Sequence, residues 1–181
     1  LSHPSLKGHL RHRCFFGGVP TRPLLQSGDA DYVPIFLSEV PKLFRSGEQK
    51  IDTAIIQVSP PDKHGMCSLG ISVEATLAAC QVAGKIIAHI NPQMPRTHGD
   101  GFIHIDRFAA VYEQSASLPI HSFATGDAVS LAIGKNVAEL VRDGDCLQMG
   151  IGAIPDAVLS CLTEHKDLGV HTELFSDGIL Q

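Results

Sequence analysis

The 181-residue chain has no basic stretch: its 14 lysines and arginines are scattered, 19 acidic residues outnumber them, and the net charge is near −5. Without a positive footprint for phosphates, nucleic acid is not an expected partner. No apolar run approaches the roughly 20 residues of a membrane span, and no charged n-region followed by an apolar h-region opens the chain, so no membrane association is expected. The five cysteines, Cys14, Cys67, Cys80, Cys146 and Cys161, form no Cys-x-x-Cys pair and are odd in number, which argues against a disulfide framework and a structural zinc site. A reducing compartment follows: cytoplasmic, or mitochondrial in a eukaryote. Ten histidines offer one close spacing, His9-x-x-His12, and no His-Glu-x-x-His helix, so no metal is expected. Internal repeats of fixed period and low-complexity tracts are also missing.

What is present is core material, 44% hydrophobic residues, in an alternation of strand-like and helix-like segments. The opening residues 1–14 begin at Leu1, show no clear period and read as a loose segment. Gly17-Gly18 and Pro20-Thr-Arg-Pro23 are turn punctuation, and Ile35–Phe44 is a short amphipathic segment broken by Pro41, read as a short strand and then a helical turn or two. Ile51–Val58 is a β-branched run of strand length that stops at Ser59-Pro-Pro-Asp62. Val73–Ala83 has helical composition, with Gly84 as its C-terminal cap, and Lys85–Ile90 is the next buried strand, ended by Asn91-Pro92. Strand, loop, helix and strand make a βαβ crossover, which puts both post-strand loops on one edge of a parallel sheet. Phe102–Ile105 reads as a short strand and Arg107–Glu113 as a segment of uncertain type. A polar, Pro/Gly-punctuated joint then leads to a helix over Ala128–Arg142, with Val129, Ile133, Val137, Leu140 and Val141 on its apolar face.

The chemistry concentrates in Cys146–Phe175. An apolar run ends in Gly150-Ile-Gly152, Pro155-Asp156 opens a helical pattern, and a second apolar run, Leu168–Phe175, carries Glu173 near the C-terminal end of its strand. Ligands of open parallel sheets bind at that edge, so a carboxylate beside a glycine turn is the best catalytic candidate. Each feature also has a plainer explanation. A strand-end Glu is usually a solvated rim residue, and Gly-x-Gly is commonly a simple turn. With Pro155 where a third glycine would stand, it is no dinucleotide fingerprint. Arg96 suits a substrate carboxylate bidentately, or a surface ion pair, and His98 can donate or accept a hydrogen bond.

Four strings carry a resemblance: Ser59-Pro-Pro-Asp-Lys-His-Gly65, Met94-Pro-Arg-Thr-His-Gly-Asp100, Gly150-Ile-Gly-Ala-Ile-Pro-Asp156 and His171-Thr-Glu-Leu-Phe-Ser-Asp-Gly178. Together they resemble the acetyl-CoA hydrolase/transferase family, especially its 4-hydroxybutyrate CoA-transferase branch, in the family's order and spacing from about Phe15 to the last residue. The resemblance implies an α/β fold of the class I CoA-transferase type, with two related α/β domains, mainly parallel sheets and an active site in the cleft between them, incomplete in this chain. It divides the sequence into the loose segment 1–14, the later part of a first domain over 15–122 and the beginning of a second over 123–181. Family enzymes are far longer. By motif, Glu173 is the nucleophile, and Gly150, Ile151, Gly152, Ala153 and Ile154 form the turn that contacts coenzyme A. Ser59, Pro60, Arg96, His98 and Gln148 stand as substrate-binding candidates. Coenzyme A enters as co-substrate with no tightly bound cofactor. The implied partners are a short acyl-CoA such as acetyl-CoA and a small acid such as 4-hydroxybutyrate or acetate, with a homo-oligomer left open. An acetyl-CoA hydrolase is the near alternative, and a nonenzymatic remnant acting as an interaction module is the distant one.

Overall fold

The computed structural model describes residues 3–6, 8–120 and 126–180. The chain divides into two compact units, Leu1–Leu118 and Pro119–Gln181. The domain boundary expected at residues 122 and 123 lies outside the described residues, as does much of the polar joint around it.

The first unit begins with a 3-10 turn at Pro4–Leu6, then β1 (His12–Cys14), α1 (Arg22–Gln26) and β2 (Ala30–Tyr32). β1 pairs in parallel with β2, and Arg11 binds Asp31 through both carboxylate oxygens at 2.7 and 2.6 Å, so the end of the segment read as loose is a paired strand. A 3-10 turn at Leu37–Glu39 leads into α2 (Val40–Arg45), in which Pro41 sits in the first turn. From sequence, Pro41 is expected to break this segment. A first-turn proline lacks only an N–H that has no helical partner anyway, and its fixed φ suits the helix start, so the helix forms through it.

Next come β3 (Thr53–Val58), β4 (Met66–Ser68), α3 (Thr76–Val82), β5 (Lys85–Ile90), β6 (Phe102–His104) and β7 (Ala110–Glu113). β3, β5 and β7 form one parallel sheet in that order, with Ala54 opposite Ile86 and Ala88 opposite Val111. The expected crossover from β3 through α3 to β5 is therefore present. α3 is shorter than the Val73–Ala83 expected, because Ser72 closes a turn on Leu69 and the helical ladder starts only with Ala79 on Ala75. Arg107–Glu113, left unassigned from sequence, supplies the third strand. Phe102–His104 does not join that sheet; it pairs antiparallel with β4, Cys67 opposite Ile103.

Alternation dictates the core. Ala54, Ile56 and Val58 of β3 and Ile86, Ala88 and Ile90 of β5 point to one face and pack with Cys67, Leu69, Cys80 and Ile103. A satellite cluster of Val40, Phe44 and Ala78 joins α2 to α3, with Phe15 edge-on to Phe44 at 5.7 Å.

The second unit holds α4 (Ala128–Ala138), β8 (Cys146–Leu147), α5 (Ala153–Ser160), β9 (Gly169–Val170) and a 3-10 turn at Asp177–Leu180. β8 and β9 pair in parallel, and the small core is Ala138, Val158, Leu159 and Leu162. α4 differs from expectation in length and in face. It ends four residues before Arg142, where Leu140 and Val141 close 3-10 bonds onto Val137 and Ala138 and the Arg142 N–H bonds the Asp145 carboxylate at 2.8 Å. Its buried stripe is Ser130, Gly134 and Ala138, while Val129 is 66% and Leu140 78% exposed. A Cβ on Gly134 would lie 2.8 Å from the backbone carbon and oxygen of Ala157, so α5 approaches more closely than any face of branched side chains allows. Asp127 caps the helix, its carboxylate accepting the Ser130 N–H at 2.7 Å and held below its ordinary pKa chiefly by that bond.

Candidate active site

The candidate residues fall into two groups, one in each unit. In the first unit they occupy the loops that leave the carboxyl ends of β3 and β5. Ser59 is buried and its hydroxyl has internal partners: it accepts the Ser68 N–H at 2.9 Å and donates to the Pro60 carbonyl at 3.1 Å. Pro60 is exposed. Two residues on, Asp62 accepts the N–H groups of His64 and Met66 on one oxygen, at 2.8 and 2.9 Å. Its other oxygen meets the Arg96 guanidinium at 2.7 Å. These contacts, the Met66 N–H foremost, hold the Asp62 carboxyl below the usual carboxylate range against a smaller opposing effect of burial.

Arg96 also donates to the Met66 carbonyl at 2.9 Å and lies over the Phe102 ring, 4.6 Å from its centroid. Its charge is thus matched by an ion pair with Asp62 in which the two side chains remain 37% and 28% exposed. Thr97 continues the closure: its N–H bonds the Ser68 hydroxyl at 3.1 Å and its own hydroxyl the Gly70 carbonyl at 3.0 Å. Gly70 has φ of +60°, and a Cβ there would meet the Pro95 carbonyl at 2.8 Å, so the two loops touch backbone to backbone. Beyond this seam, His98, Gly99 and Asp100 form an exposed tip.

In the second unit, β8 runs into Gln148, which is exposed, and Met149, which is half-buried, before the glycine turn. Gly152 has φ of 115° and caps the start of α5 with no side-chain bond, so Ala153 and Ile154 already belong to the first helical turn. Glu173 is not on a strand. β9 ends at Val170, three residues earlier, because His171 makes the last ladder bond, to the Leu147 carbonyl at 2.9 Å. From there a side chain takes over: the Thr172 hydroxyl accepts the Met149 N–H at 3.0 Å and donates to the Met149 carbonyl at 2.9 Å. One hydroxyl therefore fastens the residue before Glu173 to the residue before Gly150. Glu173 itself is exposed in the loop that follows. Thr172, Asp62 and Asn91 occur in the strings quoted from the sequence but are not among its site candidates; the Asp after Pro60-Pro61 is a recognisable Asx-turn signal, whereas nothing local marks the roles of the other two.

Among the described residues no group of three or more His, Cys, Asp or Glu side chains is arranged to hold a metal ion, and no helix is long and apolar enough to cross a membrane.

A parallel α/β sheet with its loops drawn together at the carboxyl edge, followed by a glycine turn and a fastened carboxylate loop, defines the class: an α/β protein with mainly parallel sheets, built like the CoA-transferases. The chain belongs to the acetyl-CoA hydrolase/transferase family, residues 4–122 matching the family's N-terminal domain. It is 52% identical over 178 residues to a succinyl-CoA:acetate/propanoyl-CoA:succinate CoA transferase of Fasciola hepatica, covering 97% of this chain and 37% of the relative. It is 47% identical over 177 residues to a 4-hydroxybutyrate coenzyme A transferase of Clostridium kluyveri, covering 97% and 41%. A solved 4-hydroxybutyrate CoA-transferase from Porphyromonas gingivalis superimposes with a TM-score of 0.78 at 42% identity, over 94% of this chain and 43% of that one. The chain thus spans about two fifths of the length of these curated relatives.

Proposed function

We propose that this chain is part of an acyl-CoA:carboxylate CoA-transferase in which Glu173 is the nucleophile and Gly150–Ile154 lie against coenzyme A. The observation that carries this reading is the Thr172 bridge, which keeps the Glu173 loop beside the turn that opens at Gly150. The names of the relatives, all transferring coenzyme A between carboxylic acids, support the reaction class.

The chemistry follows from a carboxylate in that position. A Glu173 oxygen attacks the thioester carbonyl of the acyl-CoA; the carbon–sulfur bond breaks, the thiolate leaves and a mixed anhydride remains. The thiolate then attacks the glutamyl carbonyl, expelling the first acid as its carboxylate and forming a glutamyl-CoA thioester. The incoming carboxylate retraces both steps, ending with a new acyl-CoA and a free Glu173. No proton, electron or water is consumed. Both intermediates are prone to hydrolysis, so water must be kept out, and each oxyanion needs N–H donors. The uncapped amides around Gly152 and Ala153 suit close approach of such a group. The acids we assign are short and unbranched or hydroxylated, acetate and 4-hydroxybutyrate among them.

In the full natural protein, Glu173→Gln is expected to lower transfer by on the order of 1,000-fold or more while acyl-CoA binding is kept. Borohydride or hydroxylamine trapping after acyl-CoA addition should label Glu173. An active preparation with unlabelled Glu173 refutes the covalent route. CoA release at a rate indifferent to added acetate or 4-hydroxybutyrate would instead identify a hydrolase.

A further inference from the structure

Asn91 ends β5 and, before a proline, reads from sequence as a chain breaker. In the structure it is 0% exposed, among the largest fully buried side chains. A buried carboxamide is costly unless its hydrogen-bonding capacity is met, and that of Asn91 is met at all four positions. Its Nδ2 donates to the Gln57 side-chain oxygen at 3.1 Å and to the Ala116 carbonyl at 2.8 Å. Its Oδ1 accepts the N–H groups of Gln93 at 3.0 Å and Ala116 at 3.1 Å. Three of the four partners are backbone groups with fixed roles, so the amide can face only one way.

The bonds reach the segments that leave all three parallel strands. The Asn91 N–H bonds the Val58 carbonyl at the end of β3, and its own carbonyl accepts the Met94 N–H, both at 2.9 Å. Ala116 lies beyond β7, and the two bonds to it imitate a sheet pair. His89, 7% exposed and stacked on Tyr112 at 4.6 Å, extends the network: Nε2 donates to the Gln114 carbonyl at 2.8 Å, leaving Nδ1 to accept from Gln57 at 3.2 Å. Gln93 adds a side-chain bond to Ser115 at 2.9 Å.

We propose that Asn91 is a positioning residue for acid recognition. It fixes the first residues of the loop that carries Arg96 and His98, together with the segment by which the chain leaves the first unit. The same stem is fixed again at Arg96 by its contacts with Asp62 and Met66, and beyond the tip the Gly101 carbonyl accepts the Leu69 N–H at 2.8 Å, so a short loop is held on both sides of its tip, His98 to Asp100, which is in solvent. That is how a recognition loop is set on a rigid scaffold. The inference rests on the transferase reading above.

The test uses Asn91→Ala, Asn91→Asp and Gln57→Leu. Asn91→Asp keeps the acceptors for Gln93 and Ala116 but turns a carboxylate oxygen toward two carbonyl-type oxygens. In this chain, Asn91→Ala should speed amide hydrogen exchange at Gln93 and Ala116 by at least ~10-fold while Ile56 and Ala88 stay protected. In the full natural protein, the KM for the acid should rise about 10-fold with the KM for acyl-CoA unchanged. Unchanged exchange at Gln93 and Ala116, or an unchanged acid KM in a variant that transfers, overturns the inference alone. Loss of protection at Ile56 and Ala88 in all three variants also overturns it, because Asn91 would then hold the fold and not the loop. A wild-type protein that transfers no CoA overturns the transferase reading and this inference with it.

Discussion

Asp62 has both carboxylate oxygens engaged inside the first unit, on two backbone N–H groups and on Arg96. Each contact favours the ionised form, so its folded pKa lies below the ordinary carboxylate range. For a lowered carboxyl the linkage has one sign: the contribution to stability is present above the unfolded value and lost as pH falls through the folded one. The seam between the two loops is therefore expected to loosen in acid below the ordinary carboxylate range and to be indifferent to pH from 5 to 8, which amide exchange at His64 and Met66 against pH would measure. Asp62→Asn should remove that acid dependence. Arg11 and Asp31 make an equally short pair, but at 63% and 45% side-chain exposure it adds little in salt. From sequence, Asp62 was only the end of a proline-rich stop and Arg96 was open between substrate and ion pair. The second choice depends on which charge lies across 34 residues of chain, which no local pattern reveals.

Among the elements, α4 is where periodicity misled. Val129, Ile133 and Val137 recur at helical spacing and outrank Ser130, Gly134 and Ala138 in hydrophobicity, so any pattern search chooses the wrong stripe. The deciding quantity is distance, because α5 lies too close for branched side chains. The expectation for Gly134→Ala follows from two magnitudes. Helix propensity favours alanine by roughly 1 kcal/mol. A Cβ driven to 2.8 Å from backbone atoms is overpacking, costing typically 1–3 kcal/mol, and here the backbone of α5 must move. The substitution should lower the denaturant midpoint of the second unit, whereas alanine at an exposed helical site would raise it. A higher midpoint for Gly134→Ala would show that the helices can separate without loss. β3 and β5 are legible for the opposite reason: Ile51–Val58 and Lys85–Ile90 are runs of strand length rich in β-branched residues, bounded by Pro60 and Pro92.

At the scale of the molecule, burial sorts the five thiols. Cys67 and Cys80 sit in the sheet core, Cys14 is buried, Cys161 is half-buried and Cys146 is exposed. Burial pushes the Cys80 thiol up to about 11 and that of Cys67 upward as well, so neither supplies thiolate near neutral pH. Titration with a disulfide reagent at pH 8 should show one fast thiol, abolished by Cys146→Ser, a slower one from Cys161, and three silent until the chain unfolds. Rapid reaction of Cys80 in the folded protein would contradict the sheet packing. The two units also differ in how far sequence could anticipate them. The first has a contiguous sheet core, and its βαβ order was read correctly. The second has strands of two residues each, too short for alternation to register, and Glu173 was accordingly placed on a strand that ends three residues before it.

The sequence by itself determined the α/β class, the parallel crossover from β3 to β5 and the family, because these rest on local periodicity, turn residues and contiguous strings. Only the tertiary structure decided that Asn91 is a fully bonded hub, that Arg96 is matched by Asp62, that α4 packs by its small residues, and that Thr172 fastens the Glu173 loop to the glycine turn. Each of those depends on hydrogen bonds or close approaches between residues 23 to 34 positions apart, for which the local pattern carries no signal.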